Sequence, residues 1–237
     1  MGITITLADD LNLSFSPQII STYSRGEFSR YRELAYLSFK TNFLAVIILC
    51  FPVFIMAPSL LKIWLVNVPE NTITFIPGLL LYSIFLPFEF TFNILMKANG
   101  NIKKFQIIKA LLMLSNIPIS WLLLWFGAPL YIVFYVMTAI EISYISVLLI
   151  IGHDELQLPI SAFLKNVAIP VCRSIVTLVC LIVISEHLRL NSYTSVIEVI
   201  VITISLFIIG VIASCSTVFS ISQLKRIGTM IKVKVSK

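Results

Sequence analysis

Residues Leu86–Lys104 read LPFEFTFNILMKANGNIKK, an apolar run with one carboxylate, Glu89, near its middle, then an Asn-Gly turn, then lysines. No opposite charge lies inside the run to neutralise Glu89. A charge at bilayer depth costs at least ~2.5–3.5 kcal/mol on insertion scales, so such a residue faces a protein interior or a watery cavity rather than lipid. Whether this stretch is a membrane span decides how everything around it is read.

Composition answers that first. Hydrophobic residues make up 59% of the 237-residue chain, charged residues 12%, and the mean hydropathy is +1.02, which is membrane composition. The apolar residues fall in blocks of about 20, the length that crosses a hydrocarbon core of ~30 Å at 1.5 Å per residue. Six spans follow, over residues 40–60, 76–96, 107–126, 129–151, 166–185 and 196–219. The fold class expected is therefore all-α: a polytopic transmembrane helical bundle of about six full spans plus a partial N-terminal helix. Residues 1–24 are that seventh segment, because the apolar MGITITLA is followed at once by DDLNLSFSPQ, with no charged n-region or small-residue cleavage site of a signal peptide. The expected division is a partial transmembrane helix over 1–24, a four-span bundle over 25–151, two additional transmembrane helices over 152–219 and a basic tail over 220–237.

Cations at span ends set orientation. Arg25, Arg30, Arg32 and Lys40 precede the first span; Lys97, Lys103, Lys104 and Lys109 lie around the second turn; Lys165 and Arg173 precede or enter the fifth span; Lys225, Arg226, Lys232, Lys234 and Lys237 follow the sixth. An alternating arrangement places all of these on one side and only Lys62 and Arg189 on the other. The basic loops and the C-terminus are expected to be cytoplasmic. No loop is long enough to fold as a domain, the outer ones being 59–75, the FGAP turn at 126–129, and 186–195.

Polar residues at membrane depth are the candidate site. On span two, Tyr82, Glu89, Asn93 and Lys97 are spaced seven, four and four apart and share one helical face, beside a Pro87 that removes a backbone hydrogen bond and kinks the helix. Glu89 either lines a pathway or is held by an Asn, Ser or Tyr of a neighbouring helix. Span four carries Tyr131, Tyr135, Thr138 and Glu141, a second buried carboxylate that strengthens the case for a hydrated pathway; interhelical hydrogen bonding is the structural alternative for its Tyr and Thr. On span three, Lys109, Asn116 and Ser120 share a face, and Trp121 and Trp125 mark an interfacial belt. Lys109 is expected to snorkel to the headgroups, with a substrate contact as the alternative. Arg173, one to two turns into span five, has a guanidinium suited to phosphate, with snorkelling to the headgroups as the alternative. In the N-terminal segment Asp9, Asp10, Asn12 and Ser16 gather near one face, as an interfacial group or a cation site.

Chemistry of other kinds is missing. His153 and His187 are in loops, and no HExxH, Walker A, GxGxxG or paired-Cys pattern is present; the four cysteines all lie in apolar spans without disulfide or metal spacing. An intramembrane acyltransferase needs a basic histidine at depth, and a membrane polysaccharide polymerase resembles a chain with a large arginine-rich outer loop. Neither feature is here. No enzyme activity, cofactor, metal or nucleic-acid partner is expected.

The run SPQIISTYSRGEFSRY (Ser16–Tyr31) resembles the junction between a polar-bearing helix and a basic loop in oligosaccharide flippases. FPVFIMAPSLLKIWL with VPE at 51–70, MKANGNIKKFQI at 96–107 and SNIPISWLLLWFGAP at 115–129 follow in the order of successive helices and turns of the polysaccharide-transporter branch of the multidrug/oligosaccharidyl-lipid/polysaccharide exporter superfamily. The resemblance covers residues 1–165 and rests on order and spacing. It implies the C-terminal half of a MATE-like flippase in the bacterial inner membrane. Such a protein moves undecaprenyl-pyrophosphate-linked O-antigen, capsule or exopolysaccharide repeat units by alternating access, among membrane lipids and in partnership with a separately encoded N-terminal half or glycan assembly proteins. The pathway residues expected on this reading are Glu89, Asn93, Lys109, Asn116, Ser120, Tyr135, Glu141 and Arg173. A cation-coupled multidrug exporter of the same superfamily is the alternative, with Asp9, Glu89 or Glu141 carrying the ion; a non-transporting scaffold or inactive remnant is the other.

Overall fold

The computed structural model describes residues 2–65, 67–69, 71–187 and 196–218. The chain is a bundle of helices: α1 (Gly2–Ser24), α2 (Phe28–Trp64), α3 (Thr72–Asn99), α4 (Ile102–Trp125), α5 (Ile132–Glu155), α6 (Ile160–Phe163) running through a π-helical turn (Leu164–Ala168) into α7 (Ile169–His187), and α8 (Val196–Val218). No strand occurs among the described residues. Among the described residues six helices are long and apolar enough to cross a membrane, and the protein is a multi-pass membrane protein.

Short connections make successive helices antiparallel, and side chains lock the ends in place. At the turn between α3 and α4, Gly100 takes φ +80°, a left-handed conformation that a side chain disfavours, and its N–H bonds the Lys97 carbonyl. The Tyr23 hydroxyl donates to Asn99 Oδ1 at 2.7 Å, tying the ends of α1 and α3 together. Lys104 and Asn101 at the start of α4 reach the Glu155 carboxylate at the end of α5, at 2.5 and 3.1 Å. These contacts share one end of the bundle with Arg25, Arg30 and Arg32, and we call it the basic end.

α2 is the central helix, packed against α1, α3, α7 and α8, while α5 packs against α3 and α4. The core follows this order: Phe39, Phe88, Phe92 and Phe163 interlock with ring centroids 4.9–6.3 Å apart. Two glycines set the closest approaches. A Cβ on Gly210 would stand 2.9 Å from the Phe51 ring, and one on Gly78 would stand 2.9 Å from Cβ of Phe134.

One element differs from expectation. Residues 28–39, expected as part of the basic loop, continue α2 back to Phe28, giving a 37-residue helix about 55 Å long at 1.5 Å per residue. The reason is a buried stripe: Tyr31, Leu34, Ala35 and Ser38 recur at helical spacing and are covered, so tertiary packing outweighs the local charge. Lys40, grouped with the loop cations, is buried on this helix. The tail over 220–237 and the stretch 188–195, with Arg189, lie outside the described residues.

Gly78 yields a stability prediction. Alanine ordinarily favours a helix over glycine by ~1 kcal/mol, yet Gly78→Ala should destabilise by about 1–3 kcal/mol because α3 and α5 must separate. Thermal unfolding in detergent checks it; a raised melting temperature would contradict the close packing at this position.

Candidate functional site

The site begins with Glu89. α3 turns it inward, and the Lys109 ammonium of α4 forms an ion pair with its carboxylate. Both side chains are largely sheltered, with 10% and 21% of their surfaces exposed. Lys109 therefore does not snorkel to the headgroups: a carboxylate without a partner at depth is a stronger attraction than the interface. The two residues sit on the arms of one helical hairpin, eleven positions before Gly100 and eight after Asn101, within about one turn of the same depth.

From the pair a polar chain leads outward. Asn93 Nδ2 donates to Glu89 Oε1 at 3.3 Å, and Gln106 Nε2 of α4 donates to Asn93 Oδ1 at 3.0 Å. These amides stand on a groove of about 430 Å³ between α1, α3 and α4, which Lys97 and Ser16 also line, with Leu13, Phe90, Ile94 and Ile102 as its apolar walls. On the other side of the pair, the Lys109 ammonium lies 5.8 Å from the centroid of the Tyr144 ring on α5. Glu141, one turn before Tyr144, is fully buried, and the charges of Glu89 and Lys109 both act on it.

Glu89, Asn93, Lys109 and Glu141 thus come together from three helices. The other candidates do not join them. Asn116 and Ser120 bond each other along α4, Ser120 Oγ donating to Asn116 Oδ1 at 2.9 Å. Tyr135 stacks edge-on against Tyr131 and lines an apolar cleft of about 270 Å³ between α2, α3, α5 and α7. Arg173 lines a separate, open groove between α7 and α8. The side chains of Asp9, Asp10 and Asn12 lie outside those described.

Two participants, and one polar network apart from the cluster, are not among the residues the sequence singles out. Gln106 carried a signal, since it lies three positions before Lys109 on the same helix face. Tyr144 carried one too, three positions after Glu141. A buried network between α2 and α3, in which Asn42 Nδ2 donates to Thr91 Oγ1 at 3.0 Å and the Ser38 and Thr91 hydroxyls meet at 3.2 Å, was legible only as a Ser/Asn pair four apart.

Among the described residues no group of three or more His, Cys, Asp or Glu side chains is placed to hold a metal ion. No family model matches the chain, and neither a curated protein nor a solved structure matches it.

A double-mutant cycle tests the ion pair. Glu89→Gln and Lys109→Gln should each lower thermal stability in detergent, because each breaks the pair and deprives the remaining charge of its nearest partner, and the double variant should recover part of the loss, with a coupling of about 1–3 kcal/mol. Strict additivity would mean that the two residues do not interact.

Proposed function

We propose that this protein is a lipid-linked oligosaccharide flippase of the bacterial inner membrane, moving repeat units of O-antigen, capsule or exopolysaccharide by alternating access. The observation that carries the reading is the groove between α1, α3 and α4: amides of Asn93 and Gln106 and the Lys97 ammonium on its walls, with the Glu89–Lys109 pair behind Asn93. Sugar hydroxyls are both donors and acceptors, which amides match, and a diphosphate is an anion, which ammonium groups match. Apolar side chains in the same walls suit a cargo whose head is polar and whose tail is hydrocarbon. The resemblance of residues 1–165 to polysaccharide transporters points the same way, and the basic end is then the cytoplasmic one, where the lipid-linked head is loaded.

A cation-coupled drug exporter is the second reading, favoured by one observation: Glu141 is a wholly buried carboxylate in the span. A cationic drug would seek the carboxylates, and a diphosphate head the ammonium groups.

Deleting the gene in its native host should abolish surface polysaccharide and leave lipid-linked repeat units on the inner leaflet. Asn93→Leu with Gln106→Leu, expressed at equal level, should restore export roughly tenfold less well than the native chain, as expected for a loss of about 1.4 kcal/mol of head-group binding. Normal surface polysaccharide in the deletion, with raised drug sensitivity, would favour the exporter.

Orientation is tested separately. A reporter fused after Lys237 should be active only in its cytoplasmic form, and one inserted near Asn71 only in its periplasmic form. The reverse at both sites would overturn the assignment of sides.

A further inference from the structure

Glu141 is the midpoint of the 19-residue apolar stretch Ile132–Ile150 of α5. It has no exposed surface, and neither carboxylate oxygen has a hydrogen-bond partner. The Tyr144 hydroxyl, one turn on, is buried and unpartnered as well. Among the described residues, the other titratable groups that act on this point lie on α5 and the helices packed against it. α3 brings Glu89 and Tyr82, α4 brings Lys109, α5 itself brings Tyr144, and α6 brings none.

Glu89 and Glu141 are two carboxylates, Lys109 is one ammonium, and the ammonium is already engaged by Glu89. The cluster is one positive charge short. A net charge at the middle of a bilayer is too costly to leave uncompensated.

We propose that Glu141 is a monovalent-cation site, occupied in this arrangement by a proton, and that losing the proton draws Lys109 from Glu89 toward Glu141. The proton leaves a Glu141 oxygen and is taken up by Glu89 as Lys109 moves across, Lys109 keeping its own proton, so the cluster stays neutral. A proton fits better than a metal ion because no third acidic, histidine or cysteine ligand joins the two carboxylates among the described residues. The consequence is mechanical. α4 has few contacts with α3, and Lys109–Glu89 is the one ion pair joining them among the described residues. Moving Lys109 to Glu141 would transfer the hold on α4 from α3 to α5 and loosen the wall of the groove. This site does not depend on what cargo the protein carries.

Infrared spectroscopy of the full chain, purified in lipid, tests the proposal without any transport assay. The native protein at neutral pH should show the C=O stretch of one protonated carboxyl group, isolated by difference against Glu141→Gln, in which that band is gone. In Glu89→Gln one carboxylate and one ammonium balance without a proton, so the band should be lost at neutral pH and return only when the pH is lowered. Spectra in sodium and choline buffers at fixed pH separate the two cations: a band insensitive to sodium means a proton site, and a band removed by sodium alone means that sodium takes the same place. No band in the native protein in either buffer, or a band that persists in Glu141→Gln, would overturn the proposal. If Glu141→Gln fails to fold, a band in Glu89→Gln as strong at neutral pH as in the native chain overturns it equally.

Discussion

Hydrocarbon offers no hydrogen-bond partners, so each polar group carried into it must be satisfied by the protein. In this chain Glu89 meets that constraint with an opposite charge. Its solution, the Lys109 ammonium of the next helix, determines which way α3 and α4 turn and which residues lie between them. Asn93 and Gln106 extend the same chain of contacts to the groove, so the groove is polar because the ion pair behind it needed supporting bonds.

Most hydroxyls in the spans meet the constraint differently. Ser83 bonds the Leu79 carbonyl, Thr138 that of Phe134, Thr177 that of Arg173 and Thr203 that of Val199, each within its own helix. Such bonds satisfy the hydroxyl but say nothing about neighbours. Specificity between helices comes instead from the few groups that reach across, Ser38 and Asn42 to Thr91 between α2 and α3, and Gln106 to Asn93 between α4 and α3. The Gln106–Asn93 bond is part of the proposed site, whereas the Ser38, Asn42 and Thr91 network joins α2 to α3 elsewhere in the bundle.

The spans themselves were legible because bilayer thickness fixes the length of an apolar run, and the turns because Gly100 and Gly127 mark left-handed positions. The start of α2 was not, because arginines around Tyr31 and Leu34 mask an apolar stripe that only contact with α1 and α3 makes decisive. At the site, spacing along one helix correctly joined Glu89 to Asn93, yet it equally joined Lys109 to Asn116 and Ser120, which the structure separates into an ion pair and a local bond. Helical periodicity says which residues share a face. It does not say which face meets which neighbour, and so Tyr135 and Arg173, plausible by depth and chemistry, lie in other clefts.

The attachment of α4 shows why the few crossing contacts matter mechanically. Lipid tails are as apolar as leucine, so burial of apolar surface does not hold one membrane helix to another; packing and polar contacts do. Only 6% of the apolar window of α4 is buried, and Leu114, Ile117, Trp121 and Trp125 are exposed along it. Its polar ties to other helices are Lys109 to Glu89, Gln106 to Asn93, and Lys104 and Asn101 to Glu155, all in the half nearest the basic end. The other half has no comparable anchor among the described residues, its Asn116 and Ser120 being spent on each other. A helix held this way depends on that half for its attachment, and a change of partner at Lys109 would alter one of the few contacts that fix the wall of the groove.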